Sequence, residues 1–430
     1  SGNSSKICSG VALVVKSQSV AGRCKRISRT TPPTTYISKP FLVNLEMSSF
    51  MESGNMLQII VQKLLTNRGI ADATEFFDPS HPKDLKPPID VMLANLLIKK
   101  HIKAGNQIVI YGDYDVDGVC ATAILWETLY KTYKNVFPHI PHREAEGYGL
   151  SIKGIDHCLA QGAKLIIAVD NGIVAHKQVD YCRSKDCDII IVDHHEPEDK
   201  LPEANIIVHS TATCAAGLAW YFSLQQEHLA LVALAVICDL VPLIGLNRSF
   251  AKFGLAELNK TTRPGLKELI KLAGITKDIG PYEVGFVLGP RINAMGRLEH
   301  AIDSLRLLCT TDNNRAVQLA KVLDDTNRQR QDETQAAVEH ALQNVQITDV
   351  IVAAHESYHP GIIGLIAAKL VEKYYRPAIV ISIGDTECKA SARSITGFHI
   401  TDHIRQFSAD MINLGGHAMA AGFSIEKTKL

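Results

Sequence analysis

Three short apolar runs, each ending on an acid, constrain this chain more than any other feature: IVIYGD (108–113), LIIAVD (165–170) and IIIVD (189–193). Helix-compatible segments at 119–133 and 174–184 lie between them. Continuous apolar strands alternating with helices predict an α/β fold with a parallel sheet covered on both faces. In such sheets ligands collect at the carboxyl ends of the strands, which is where the acids fall. A single Asp after a strand is usually a turn or helix-capping residue. Three in series, the last followed by two histidines, call for another explanation.

The first acid opens YGDYDVDGVCAT (111–122), whose spacing Asp113, Asp115, Asp117, Gly118 copies the start of a calcium-binding EF-hand loop. Such a loop needs a bidentate Glu six residues after the glycine, and position 124 is Ile. It is also entered from a helix, whereas QIVIY (107–111) is rich in β-branched residues and reads as a buried strand. Calcium is set aside; a solvated acidic turn and the acidic half of a catalytic metal site remain open.

The remaining residues bound the molecule. A chain of 430 residues with 46% hydrophobic content can fill the cores of two or three domains. The longest apolar stretch, 229–238, is far below the roughly 20 residues that cross a bilayer, so no membrane association is expected. Ten cysteines without a CxxC pair read as reduced thiols rather than a zinc ribbon or disulfide framework. Residues 1–46 hold seven Lys/Arg against Glu46, leaving 38 basic and 44 acidic residues elsewhere, a net −6. A nucleic-acid partner must then be held by a local patch. That Ser/Thr-rich, acid-poor start reads as a disordered extension over 1–55. Organellar targeting is weighed for residues 1–46, but a bacterial-type cytoplasmic protein is preferred.

Beyond it, LQIIVQKLLTNRGI from Leu57 predicts a helix closed near Gly69, and a second helix covers 90–104. From 314 to about 344 runs one long polar helix of the kind that joins domains. VIVAA (350–354) and AIVIS (378–382) then restart an α/β pattern long enough for a small second domain.

Asp193-His194-His195 gains meaning from its company. Carboxylates from Asp113, Asp115 and Asp170 with imidazole from His194 make a mixed oxygen and nitrogen set suited to Mn²⁺ or Mg²⁺. LVALAVIC (231–238) is an apolar helix that would carry Asp239 to the edge of the core, where a carboxylate is costly unless paired or metal-bound. Five such ligands exceed what one ion takes, whereas two ions sharing a carboxylate form a known clamp for displacement at phosphorus.

The set DYDVDG, VDNG (169–172), DHH (193–195) and CDLVPL (238–243) resembles the four motifs of the DHH phosphoesterases. EGYGLS (146–151), GPRINAMGR (289–297), HPGIIGLIAAKL (359–370), SARS (391–394) and GGHAMAAGF (415–423) are similar to the RecJ branch of single-strand exonucleases. The resemblance covers about 57–425. It implies a DHH catalytic domain over 56–312, a connecting helix over 313–346 and a smaller DHH-associated α/β domain over 347–430, with the active site in a cleft between the domains. It further implies 5′-to-3′ hydrolysis of single-stranded DNA to nucleoside monophosphates in repair or recombination, using two Mn²⁺ or Mg²⁺ ions. DNA is favoured over RNA as substrate, with a possible repair or replication protein partner and a monomeric state.

By motif, Asp113, Asp115, Asp170, His194 and Asp239 would be the ligands, with Asp170 bridging. His195 would face the scissile phosphate while Asp117 and Asp193 orient the ligands. Arg291, Asn293 and Arg297 offer donors to phosphate oxygens, or else cap a helix or make an interdomain salt bridge. In the second domain Ser391, Arg393, Gly415, Gly416 and His417 could form a phosphate nest or an ordinary turn. Arg143 is a candidate reader of the 5′ end, and His359 is a candidate contact or a packing residue.

Two departures matter. Tyr111 stands where some relatives have a histidine. Longer RecJ-like enzymes continue into an OB-type domain, whereas this chain stops at Leu430; with 6% aromatics, weak or short-oligonucleotide binding is expected. The rival readings are a DHH phosphodiesterase for short oligonucleotides, cyclic dinucleotides or nucleoside bisphosphates, and a non-catalytic replication scaffold.

Overall fold

Strands β1 (Gln107–Tyr111), β2 (Val136–His139), β3 (Ala163–Val169), β4 (Asp188–Asp193) and β5 (Ile206–His209) form one sheet in a computed structural model that describes residues 55–430. The expectation for 1–55 lies outside these residues apart from Asn55. The strand order is β2-β1-β3-β4-β5 and every pairing is parallel. The three runs read from sequence are its three central strands. Both faces are covered, so nearly every residue of β1, β3 and β4 is buried, which is why they show no polar alternation.

The strands not anticipated are the two edges. β2 reads VFPH, and Pro138 is tolerated there because β2 pairs on one side only. Four-residue β5 is too short for a periodic signal.

Helix Val116–Tyr130 is buried along most of its length and packs against helices Ala215–Ser223 and Leu229–Cys238. Trp220 and Phe250 close this core edge-to-face, with ring centroids 5.5 Å apart. A largely buried ion group ties it together: Arg263 donates from both terminal nitrogens to the two oxygens of Glu127 (2.6 and 2.7 Å). His228 Nε2 lies 3.0 Å from Glu127 Oε2. Burial alone would raise the Glu127 carboxyl, but these partners outweigh it and bring its pKa down to about 2. The helices expected at 57–69, 90–104 and 174–184 are Asn55–Asn67, Met92–Lys103 and His176–Ser184.

The described residues divide into two compact units, 55–340 and 341–430. The long helix runs Asn313–Asn344. In the second unit β6 (Ile351–His355), helix Ile363–Tyr374 and β7 (Ala378–Ile383) make a parallel crossover. Antiparallel β8 (Glu387–Arg393), β10 (Ala420–Glu426) and β9 (Met411–His417) complete a sheet of order β6-β7-β8-β10-β9. Among the described residues no helix is long and apolar enough to cross a membrane.

Candidate metal centre

The strand order of the first unit reverses between β1 and β3, and a parallel sheet opens a crevice at its carboxyl edge at such a switch point. Asp113 and Asp115 follow β1, Asp170 follows β3, and Asp193, His194 and His195 end β4. Asp239 arrives separately, as the residue closing the apolar helix Leu229–Cys238. Three overlapping groups result, each with ligand atoms within 4.8 Å of one another: Asp113, Asp115 and Asp170; Asp170, His194 and His195; Asp117, His194 and Asp239.

Backbone geometry serves this convergence. A Cβ on Gly118 would lie 2.7 Å from the backbone of Asp113, so only glycine lets the helix start so close to that strand end. Asp115 is the N-cap, its Oδ1 accepting from Gly118 N at 3.0 Å, which leaves its second oxygen for the crevice. Asp170 itself has φ +63°, a left-handed conformation that Asp tolerates better than most residues.

His194 Nε2 stands 3.2 Å from Asp170 Oδ1, 3.6 Å from Asp117 Oδ2 and 3.7 Å from Asp239 Oδ2. Yet this nitrogen makes no hydrogen bond, and neither do Asp113 Oδ1 or Asp170 Oδ1, all three being buried. Buried polar atoms are ordinarily satisfied. Orphaned acceptors converging from separate strand ends fit a divalent cation, since a cation would satisfy lone pairs that no donor reaches.

The electrostatics agree. Burial first, then the charge on Asp115, pushes Asp113 up to about 8. Burial and the Asp117 charge push Asp239 up to about 8 and Asp170 well above the carboxylate range. Crowded acids of this kind are costly to ionise without a counter-charge. Burial also lowers His194, favouring the neutral imidazole that a metal needs.

His195 is set apart by Asp193. Asp193 Oδ1 accepts from His195 Nδ1 (2.7 Å) and from the N–H groups of His194 (2.7 Å) and His195 (3.2 Å), and Oδ2 accepts from Ile173 N (3.0 Å). Burial opposes charge on both groups, but this pairing outweighs it, lowering Asp193 and raising His195 to about 9. Asp117 has two allegiances: its oxygens accept from Ala215 N and Ala216 N, each at 2.7 Å, seating the next helix, while Oδ2 also faces His194.

The GPRINAMGR residues lie on helix Gly289–Leu298. Asn293 Oδ1 accepts from Val116 N at 3.1 Å and so fixes the loop carrying Asp113 and Asp115. Arg291 donates to Asp324 (2.9 Å) and to the Val287 carbonyl (2.8 Å), both within the first unit. Arg143 donates to Gly296 O at 2.7 Å and stacks over Tyr114, 4.1 Å from its ring centroid. Arg297 sits in the last turn of the same helix.

Two residues of this crevice carried no role in the sequence reading. Asn171 donates to the carbonyls of Gly112 (3.1 Å) and Val169 (2.9 Å), stapling the ends of β1 and β3 together. Tyr148 lies 3.4 Å from His195 Nε2. Both sit inside quoted motifs, VDNG and EGYGLS, and that placement was the available signal.

In the second unit, sheet register sets Ser391 opposite Gly422 and Arg393 opposite Ala420, and these pair onward with Gly415 and His417. Directly opposed residues share a face, so Ser391, Arg393, Gly415 and His417 lie on one side of the sheet across a row of small residues. Gly416 falls on the other side, at φ +144°. Arg393 Nη1 donates to Ser391 Oγ (3.0 Å), and a Cβ on Gly364, in the first turn of helix Ile363–Tyr374, would come within 2.8 Å of Arg393 Nη2. A guanidinium, a hydroxyl and a helix start thus meet. His359 Nδ1 accepts from Gly361 N at 3.0 Å, shaping the turn that leads into that helix.

Comparison with known proteins follows the same division. Residues 107–241 match the model of the DHH family, N-terminal domain, and residues 347–430 match the DHHA1 domain. The single-stranded-DNA-specific exonuclease RecJ of Bacillus subtilis is 37% identical over 402 residues, covering 85% of this chain. This chain spans only 50% of that relative's length. RecJ of Escherichia coli is 31% identical over 419 residues, 86% of this chain and 72% of its own. A crystal structure of exonuclease RecJ bound to manganese superposes with a TM-score of 0.71 at 31% identity, covering 80% of this chain and 92% of the other.

Proposed function

This chain belongs to the RecJ family of DHH phosphoesterases, and on that premise we propose that it is a metal-dependent exonuclease that hydrolyses single-stranded DNA from the 5′ end to nucleoside monophosphates. The observation that carries the reading is His194 Nε2, buried and without a hydrogen bond among three carboxylates, with Asp113 Oδ1 and Asp170 Oδ1 equally orphaned. A RecJ structure bound to manganese supports Mn²⁺ as one occupant, and Mg²⁺ suits the same oxygen-rich set.

Asp113, Asp115, Asp170, His194 and Asp239 would hold the ions, with Asp117 bordering His194. A divalent pair bound there supplies an acidified water and neutralises charge on the phosphate. His195, kept cationic by Asp193, offers an N–H to the developing negative charge. Asn293 and Asn171 hold the strand ends in register, so the acids stay aimed at one place. The Ser391 and Arg393 row is the proposed seat of a terminal phosphate, which would set the direction of digestion.

The test is digestion of single strands bearing a 5′-phosphate, a 5′-hydroxyl or a blocked 5′ end, with Mn²⁺, with chelator and with Asp170→Ala. Stepwise release of nucleoside monophosphates from open 5′ ends, abolished by chelator and by the substitution, is expected. Consumption of a dinucleotide alone, with long strands untouched, would overturn the exonuclease reading in favour of a phosphodiesterase for short substrates.

A further inference from the structure

We infer that Tyr148 is a positioning residue for His195. Asp193 holds one ring nitrogen of His195, Nδ1, at 2.7 Å, and the phenol of Tyr148 reaches the other, Nε2, at 3.4 Å. With Nδ1–H given to the carboxylate, the second ring N–H, at Nε2, donates to the phenol oxygen. The imidazole is then gripped from both ends, which fixes its rotamer and directs Nε2. At 3.4 Å the outer grip is at the long end of hydrogen bonding, as suits a partner that an arriving phosphate oxygen displaces.

The loop bearing Tyr148 is built to present it. Glu146 is tied on one side, Oε2 to His139 Nε2 at 2.9 Å and Oε1 accepting from His142 N at 3.1 Å. On the other side the buried Tyr111 hydroxyl donates to Gly149 O at 3.2 Å, and Ser151 caps the next helix through Gly154 N at 3.0 Å. Gly147 and Gly149 take φ +92° and +63°, so the chain turns sharply on either side of Tyr148. Between these anchors the Tyr148 side chain stays 60% exposed. An aromatic held in water on a pinned loop adds little to a core; a rigid support under an exposed side chain is the arrangement of a working group. Its one ring neighbour among the described residues is Tyr114, edge-to-face at 5.8 Å, and Tyr114 in turn carries Arg143.

The inference rests on the proposed function only in assigning His195 to the phosphate; the grip itself does not need that reading. The test is Tyr148→Phe, which keeps the ring on Tyr114 and removes the hydroxyl. Three measurements are made: kcat and KM on a 5′-phosphorylated oligothymidylate with Mn²⁺, the melting temperature, and the ring ¹⁵N signals of His195 in metal-free protein, assigned with His195→Gln. The expected result is kcat down about 3- to 10-fold, the rate equivalent of one long hydrogen bond, with KM and melting temperature essentially unchanged and the His195 ring signals shifted. Unmoved ring signals overturn the inference whatever happens to kcat, since the phenol would then not act through His195. A melting temperature that falls together with kcat overturns it too, as a purely structural role. Wild-type protein that leaves the strand intact defeats the nuclease reading instead, and the ring signals still decide the fate of Tyr148.

Discussion

Replacing Glu127 with Gln tests whether the largely buried ion group of the first unit is held by charge. Glu127 is 16% exposed, forked by Arg263 and touched by His228, and its pKa drops from 4.5 to about 2. A shift of about 2.5 units at roughly 1.36 kcal/mol each gives a contribution on the order of 3 kcal/mol. Because the folded pKa is the depressed one, that contribution is complete above pH 4.5 and disappears as pH falls through 2. Both tryptophans of the chain, Trp126 and Trp220, belong to this unit, so fluorescence during urea unfolding follows it selectively. The gap between wild type and Glu127→Gln should be widest at neutral pH and close steadily between pH 4.5 and 2. A gap of constant size across that range would refute the electrostatic account, leaving only altered packing at Arg263.

Asp170→Asn should abolish Mn²⁺-dependent digestion yet raise the melting temperature of metal-free protein, because it removes a buried carboxyl whose ionisation burial and its acidic neighbours oppose; calorimetry should register roughly 2–4 °C per kcal/mol gained. Asp193→Asn loosens His195 and the His194 backbone together, and should lower activity or Mn²⁺ affinity about 10- to 100-fold, measured by titration calorimetry alongside turnover. Arg393→Lys keeps the charge but loses the guanidinium fork, so KM for 5′-phosphorylated strands should rise while 5′-hydroxyl strands are handled as before; equal changes on both would remove Arg393 from phosphate recognition.

The legible part of this molecule was what repetition writes into sequence. β1, β3 and β4 are covered on both faces, so their apolar runs are unbroken, and the acids at their ends mark the crevice in the sequence itself. Asp239 was legible for a different reason, being a carboxylate at the end of a helix with no other polar residue. β2 and β5 were missed because edge strands of four residues carry no period. Asn171 and Tyr148 were missed because their roles are tertiary: one staples two carbonyls, the other meets a histidine 47 positions away. Arg291 illustrates the opposite difficulty. A guanidinium in a basic motif reads equally as a phosphate grip or an ion-pair partner, and only the position of Asp324 reveals its present bond.

Asp117 joins architecture to chemistry in a way that limits how this protein could change. Its two oxygens seat the first N–H groups of helix Ala215–Ser223, and the same carboxylate borders His194. A lineage drifting away from catalysis could shed Asp113 or Asp239 and lose only crowding, but loss of Asp117 would unseat a helix at the heart of the unit. Inactive descendants of such a chain should therefore keep the third aspartate of DYDVDG as a fossil of the hydrolytic ancestor, long after its neighbours have gone.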